Sequence, residues 1–224
     1  MSYILNIETA TTNCSVSLSK KGKTLALKET NDATYSHAET LHVYIAEVLE
    51  SAQVDFSRLN AVAVSKGPGS YTGLRIGVSA AKGLCFALHI PLISVPTLQS
   101  LASQVKQNDG VIIPLLDARR MEVYAAVFDA AYKEIRETQA EIITETSFRA
   151  YLNTDKVYFI GSGVEKTQTV LAHPNAQFIQ GKYPSAEEMS KLAYEKYQKN
   201  DTEDVAYFEP YYLKDFIVLK SAKK

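Results

Sequence analysis

The sequence contains only two cysteines and almost no net charge, and each shortage excludes a class of protein. Cys14 and Cys85 lie in separate apolar segments. They form neither a disulfide framework nor a zinc site, and we predict that both are buried free thiols. Lysine and arginine total 24 against 25 acidic residues, a net charge of −1. This balance excludes a free-standing nucleic-acid binder that depends on a strongly basic surface.

Long apolar runs are also missing. No run approaches the roughly 20 residues that a membrane span needs. The N-terminal segment reaches an acid at Glu8 without a preceding basic region, so it does not resemble a signal peptide. We therefore expect a soluble cytoplasmic protein with no membrane association.

The histidines do not suggest a metal site. His37 and His42 share a predicted helix but are five positions apart, whereas two ligands on one helix face need a spacing of about three or four. The sequence also has no GxSxG nucleophile motif and no Cys–His pairing. We expect no bound metal and no catalytic nucleophile.

What is present is a pattern of strands and helices that occurs twice. In the first half, three alternating or apolar β-rich segments come first. An amphipathic helix follows, which opens with a Ser36–Glu39 capping box. A buried strand, a glycine loop and a second helix come after it. The predicted strands are 3–7, 14–19, 24–29 and 61–65, and a further strand at 92–95 follows the second helix. In the second half the strands are 111–116, 122–128, 134–143 and 157–160, with a helix around 145–152 before the last of them. A glycine loop at 161–163 leads into a further helix, and a capping box at 185–188 opens another.

Two βββαβα units predict an α/β fold of two duplicated lobes, because a single such sheet needs cover on both faces. We assign residues 1–105 to the N-terminal lobe and 106–207 to the C-terminal lobe, with 208–224 packing back on the first. In each half the first strand ends in an acid, Glu8 or Asp117. This order predicts a cleft between the lobes with the two acids at facing strand ends.

The glycine loop, KGPGSYTG at 66–73, supports two interpretations. The spacing of Gly67, Gly69 and Gly73 fits neither a Walker loop nor a dinucleotide fingerprint, and the Lys-Ser/Thr pair of a Walker loop is missing. A glycine loop at a helix N-terminus can still present N–H groups to an anion. The loop is therefore either a phosphate site or a tight turn from strand to helix.

The acids at the strand ends are similarly ambiguous. Glu8 and Asp117 could hold a magnesium–nucleotide between the lobes, or serve as a general acid and base. Glu8 could instead cap the turn that begins at Thr9. Asp117 is followed closely by Arg119 and Arg120, an arrangement typical of a structural salt-bridge turn. The candidate cofactor-binding residues are therefore Glu8, Thr9, Gly67, Gly69 and Asp117.

Small residues crowd the helix after the glycine loop. Glycine in a helix interior costs about 1 kcal/mol relative to alanine, so several together need a packing reason. That reason is either close packing in this chain's own sheet or the approach of a partner helix. On the second interpretation, the partner-facing residues are Leu41, Ile45, Val48, Gly73, Gly77, Ala80 and Ala81.

Four segments resemble a known family. ILNIETA at 4–10, KGPGSYTGLRIGVSAAKGL at 66–84, DARRMEVY at 117–124 and EPYYL at 209–213 are similar to the TsaB (YeaZ-like) family. The resemblance covers nearly the whole chain, and the 66–84 segment is its most specific part. It implies an actin-like ATPase (ASKHA, RNase H-like) fold, in a group formerly placed with the M22 glycoproteases. The aspartate usual at the end of strand one in that superfamily is Glu8 here, so the nucleotide cleft is expected to be vestigial.

The resemblance also implies a function. The family supplies a non-catalytic scaffold that pairs with TsaD for threonylcarbamoylation of adenosine 37 in tRNAs that read ANN codons. TsaE joins the complex and a TsaC-type enzyme supplies the activated intermediate. The resemblance places the protein–protein face on residues 36–52 and 70–89. It implies contact with tRNA through the complex, a homodimer when alone, and ATP or ADP only in the complex.

Two alternatives of different classes remain beside the scaffold. An active ASKHA-type ATPase or phosphotransferase fits the two acids, but the phosphate-loop chemistry is missing. An M22-type glycoprotease lacks metal ligands in this sequence. Nucleotide turnover and metal content would separate these alternatives from the scaffold.

Overall fold

The computed structural model describes residues 2–31 and 37–214, and its strands form two five-stranded mixed sheets with the same topology. The first has the order β3-β2-β1-β4-β5 and the second β8-β7-β6-β9-β10. In each sheet the first three strands pair antiparallel and the last two join in parallel. The predicted duplication of an α/β unit is therefore confirmed.

The elements have the following bounds. The strands are β1 Tyr3–Glu8, β2 Asn13–Lys20, β3 Lys23–Asn31, β4 Ala61–Gly67, β5 Leu92–Pro96, β6 Val111–Asp117, β7 Glu122–Asp129, β8 Glu134–Ile142, β9 Val157–Ile160 and β10 Ala176–Ile179. The helices are α1 His37–Ser51, α2 Tyr71–Leu88, α3 Thr97–Ala102, α4 Arg149–Leu152, α5 Val164–Val170 and α6 Ala186–Gln198. Of the two predicted capping boxes, the first begins at Ser36, which lies outside the described residues. At the second, the Ser185 hydroxyl accepts a hydrogen bond from the backbone N–H of Glu187.

The first sheet is buried on both faces, which explains why β1 is apolar at most positions. On one face Leu5 and Ile7 pack with α1 and α2, and on the other Ile4 packs with α6. Successive strand residues point to opposite faces, so two cores share one strand. The buried Asn6 on the α6 face donates hydrogen bonds to serine hydroxyls of β2.

Two helices connect the lobes. Helix α3 follows the first sheet in sequence, yet Leu98 and Leu101 pack on the second sheet. Helix α6 lies within the range 106–207, yet its Met189 and Ala193 pack on the first sheet. Because each helix buries its apolar face on the other lobe's sheet, separating the lobes would expose both faces to water.

The segment after α6 returns to the first lobe. Val205 and Phe208 pack against the core beneath α1 and α2, and the backbone N–H of Tyr211 donates to the Lys66 carbonyl at 2.7 Å. Residues 215–224, the remainder of the predicted C-terminal segment, lie outside the described residues. No helix of the described ranges is long and apolar enough to span a membrane.

Candidate functional site

Glu8, the acid at the end of β1, is fully buried. Its Oε1 accepts a hydrogen bond from the Ala10 backbone N–H at 2.6 Å and another from the Ser65 hydroxyl at 2.7 Å. Its Oε2 is buried and has no hydrogen-bond partner among the residues that the structure describes. Burial raises the pKa of Glu8 from 4.5 to about 7, although these hydrogen bonds oppose the rise. The carboxyl group therefore joins β1 to β4 inside the protein and has no exposed oxygen to offer a ligand.

The turn after Glu8 lies directly against the glycine loop. The Thr9 hydroxyl is buried and donates to the Gly73 carbonyl at 2.8 Å. A Cβ atom on Gly73 would lie 2.1 Å from the Thr9 carbonyl oxygen, and one on Gly69 would lie 2.4 Å from the Ala10 carbonyl oxygen. These positions need glycine because the chain's own backbone occupies the space that a side chain would fill.

Two backbone N–H groups of the glycine loop donate hydrogen bonds within the chain. The Ser70 N–H donates to the Ala10 carbonyl at 2.7 Å, and the Gly67 N–H donates to the Thr97 hydroxyl at 3.2 Å. Gly67 has φ +107°, and a Cβ there would lie 2.6 Å from the Tyr211 carbonyl oxygen. Of the two interpretations of the loop, these contacts favour the tight turn.

Asp117 has the opposite environment from Glu8. It is exposed at the end of β6, accepts a hydrogen bond from the Arg119 N–H at 2.7 Å and forms an ion pair with Lys166 at 3.1 Å. Within the described residues, Asp117 and Glu8 make no contact with each other. The expected salt-bridge turn exists, but the partner of the aspartate is Lys166 of α5 rather than either neighbouring arginine.

The residues predicted to face a partner mostly face inward, and this part of the prediction is wrong. On α1, Leu41, Ile45 and Val48 are buried in the core of the first lobe. On α2, Gly73, Gly77 and Ala81 are buried, and a Cβ on Gly77 would lie 2.2 Å from the Thr9 Oγ1. Ala80 is half-buried. The glycines are explained by the close approach of the β1–β2 turn, which lies far from them in sequence.

The outer faces of α1 and α2 form a groove of about 780 Å³. Its residues lie within the ranges 36–52 and 70–89 that the resemblance indicates, and Ala80 is the one predicted partner-facing residue among them. Its lining combines small and apolar residues with polar ones and a single arginine: Ala38, His42, Tyr71, Thr72, Arg75, Ile76, Ser79, Ala80, Gly83 and Leu84. A Cβ on Gly83 would meet no atom of residues 2–31 or 37–214 within 4 Å, so packing within these ranges does not require a glycine there. Elsewhere on the same helices, Phe86 is 77% exposed and Val43 is 51% exposed.

The two helical histidines differ in environment. His37 is buried, and its Nε2 lies 2.7 Å from the Thr11 carbonyl oxygen. His42 is exposed in the groove. The described residues contain no group of three or more His, Cys, Asp or Glu side chains arranged to hold a metal ion.

A second, polar cavity of about 320 Å³ lies between the end of β3 and the start of α6. Glu29 accepts hydrogen bonds there from Ser15 and Ser185, at 2.9 and 2.7 Å. Desolvation raises the pKa of the neighbouring Glu188 to about 7. The cavity combines residues from both halves of the sequence, so no local motif predicts it.

Comparison with known proteins agrees with the fold and identifies the family. A family model described as TsaD: tRNA N6-adenosine threonylcarbamoyltransferase matches residues 31–220. The Escherichia coli tRNA threonylcarbamoyladenosine biosynthesis protein TsaB is 29% identical over 97% of this chain and 96% of its own length. The Bacillus subtilis protein of that name is 49% identical over 31% of each chain. The solved structure of YeaZ from Pseudomonas aeruginosa is 26% identical to this chain and matches it with a TM-score of 0.82, over 95% of this chain and 100% of its own.

Proposed function

The chain belongs to the family described as TsaD: tRNA N6-adenosine threonylcarbamoyltransferase, and we propose that it acts as a non-catalytic TsaB-type subunit. Its full-length relatives are TsaB proteins of threonylcarbamoyladenosine biosynthesis, which supports a role in that pathway. In the proposed complex a TsaD-type partner transfers the threonylcarbamoyl group to adenosine 37 of tRNAs that read ANN codons. TsaE joins this complex, and a TsaC-type enzyme supplies the activated intermediate.

The observation that supports a non-catalytic role most strongly is the internal use of the nucleotide-site elements. The Glu8 carboxylate accepts its hydrogen bonds from Ala10 and Ser65, and the Thr9 and Ala10 carbonyl oxygens occupy the space beside Gly73 and Gly69. The space that Gly69 and Gly73 leave open is therefore filled by the chain's own backbone and not available to a phosphate. We therefore propose that the isolated chain holds no nucleotide tightly and that ATP or ADP binds only in the complex.

The groove between α1 and α2 supports pairing with a partner helix. Its lining contains Ala80 and Gly83, and small residues let another backbone approach closely. Exposed apolar side chains nearby, such as Phe86, would lose water on contact. We propose that a TsaD-type subunit binds here and that a second copy uses the same face when the chain is alone, which makes the two pairings mutually exclusive.

A second candidate follows from the family model, whose description names the transferase itself. In that case the isolated chain would transfer the threonylcarbamoyl group without a partner. Incubating the purified chain with tRNA, ATP and the activated intermediate, with and without a TsaD-type protein, separates the two. Modification by this chain alone would contradict the scaffold role.

The pairing surface is tested with Gly83→Glu, which places a charged side chain in the groove at a position where the fold has room. Ala150→Glu, at an exposed position on α4 of the other lobe, is the matched control. Both variants should keep the wild-type circular dichroism spectrum. We expect Gly83→Glu to lose co-purification with the TsaD-type partner and to be a monomer by light scattering, whereas Ala150→Glu retains both pairings. Unchanged pairing of a folded Gly83→Glu would place the interface elsewhere.

A further inference from the structure

The turn between β6 and β7 has an unusual backbone for its residues. Arg119 and Arg120 are consecutive and both lie in the left-handed region, with φ +71° and +48°. Left-handed backbone favours glycine and asparagine, because the side chain of most L-residues crowds the following carbonyl oxygen. Two arginines are therefore a conformationally unfavourable choice here, and their side chains are what distinguishes this turn.

The surrounding charges leave both arginines uncompensated. Asp117 pairs with Lys166, and Glu122 pairs with Lys214. Lys166 also donates to the carbonyl oxygens of Arg120 and Glu122, at 2.8 and 2.6 Å, and so holds the turn in place. Within residues 2–31 and 37–214, neither guanidinium forms an ion pair or a side-chain hydrogen bond, and both arginines are exposed. Each carboxylate is neutralised by a lysine, and two cations project from a fixed turn.

The two exposed guanidinium groups favour binding to a polyanion whose negative charges are spaced along a chain. Guanidinium groups bind phosphate oxygens through paired hydrogen bonds. A protein interface would need an apolar centre, but the turn exposes no large apolar side chain, and Ile142, opposite Glu122 on β8, is a single exposed residue rather than a patch. We propose that Arg119 and Arg120 contact the phosphodiester backbone of tRNA. This proposal rests on the proposed function for the choice of RNA.

The structure offers a sharp variant for the test. Arg119→Asn/Arg120→Gly removes both cations and places at each position a residue that tolerates a positive φ, so the fold should be as stable as the wild type or more stable. Lys21→Asn is the matched control, because Lys21 also has a positive φ, +50°, in the exposed β2–β3 turn of the other lobe. It loses a cation from a left-handed turn remote in sequence from Arg119 and Arg120.

The measurement is tRNA affinity as a function of salt, by filter binding or anisotropy, for the complex with a TsaD-type partner. We expect the double variant to co-purify normally but to bind tRNA roughly tenfold more weakly, with the slope of log K against log salt reduced by about 1 to 2. The Lys21→Asn complex should match the wild type. Loss of co-purification would show that the arginines bind a protein, and unchanged affinity and slope would show that they do not contact RNA; either result overturns the proposal.

A second tRNA-binding experiment, on the isolated chain, tests this inference independently of the pairing proposal. At about 50 mM salt, where weak electrostatic binding is strengthened, the isolated wild-type chain should bind tRNA measurably and the double variant several-fold more weakly. If the wild-type chain never pairs with a TsaD-type protein, the proposed function fails while this comparison still decides the role of the turn. Equal binding of the two proteins in this arm would overturn the proposal on its own.

Discussion

Two glycines of helix α2 provide a direct stability test of how the first lobe packs. A Cβ on Gly73 would lie 2.1 Å from the Thr9 carbonyl oxygen, whereas one on Gly83 would meet nothing within 4 Å. Gly73→Ala therefore forces the β1–β2 turn away from the helix, and Gly83→Ala does not. Both variants replace a glycine by alanine on the same helix, so each serves as the control for the other.

The magnitudes follow from packing and helix propensity. Overpacking costs about 1–3 kcal/mol, and alanine gains up to about 1 kcal/mol over glycine in a helix. We expect Gly73→Ala to lower the free energy of unfolding by about 1–2 kcal/mol and Gly83→Ala to raise it by about 0.5–1 kcal/mol. For a protein of this size, 1 kcal/mol corresponds to a Tm change of about 2–4 °C.

The assay is thermal and urea unfolding followed by circular dichroism. The two variants should shift Tm in opposite directions, and Gly77→Leu should lower it further than Gly73→Ala, because a larger side chain would meet the Thr9 side chain. If Gly73→Ala were stabilised as much as Gly83→Ala, the β1–β2 turn would not lie on this helix. The account of the glycine loop as a packed turn would then be refuted.

Other predictions concern titration, thiol reactivity, metal and RNA. The unfolded chain loses the Glu8 proton near pH 4.5 and the folded protein near pH 7, so the free energy of unfolding should fall as pH rises through this interval. In urea titrations Glu8→Gln should lack this pH-dependent contribution, which is at most about 3–4 kcal/mol at about 1.4 kcal/mol per pH unit. The same pH dependence in the wild type and the variant would contradict the burial of Glu8. Burial raises the pKa of the Cys14 and Cys85 thiols, and a thiol reagent should label neither until urea unfolds the protein. Elemental analysis should find less than one transition metal per chain, and a stoichiometric metal lost in His37→Ala would be the opposite result. The isolated chain should bind tRNA weakly at about 150 mM salt, and submicromolar affinity in a filter-binding assay would contradict this expectation.

The duplicated architecture could be predicted because each half contains strands of clear alternation followed by a periodic helix. The elements missed by the sequence analysis are short ones. Helix α3 has six residues and begins after Pro96 without a side-chain cap, and β10 has four residues. Such elements exist through tertiary packing, α3 on the second sheet and β10 beside β9, rather than through a local signal.

The site residues were harder to predict because periodicity reports burial rather than recognition. The apolar stripe of Leu41, Ile45 and Val48 marks the core face of α1. The outer groove is lined by residues such as Ser79 and Gly83, which carry no periodic signal. The contact of Thr9 with Gly73 joins distant parts of the chain, so the reason for the glycines appears only in three dimensions.

The ionic partners show the same limit. The sequence places two arginines beside Asp117, and neighbours in sequence are the natural candidates for its ion pair. In the structure Asp117 instead pairs with Lys166 on α5, while Arg119 and Arg120 lie in a turn with left-handed backbone. The unpaired state of the arginines could not be inferred without the β6–β7 register and the position of that helix.

The central claim is that this chain enables tRNA modification by pairing with a catalytic subunit and not by its own chemistry. The most direct measurement is threonylcarbamoyladenosine formed on a tRNA that reads ANN codons, quantified by mass spectrometry, in a mixture of TsaC-, TsaD- and TsaE-type proteins with this chain added or omitted. We predict product only when this chain and the TsaD-type protein are both present, and none with Gly83→Glu in place of the wild type. Full product without this chain, or product from this chain without the TsaD-type protein, would contradict the account.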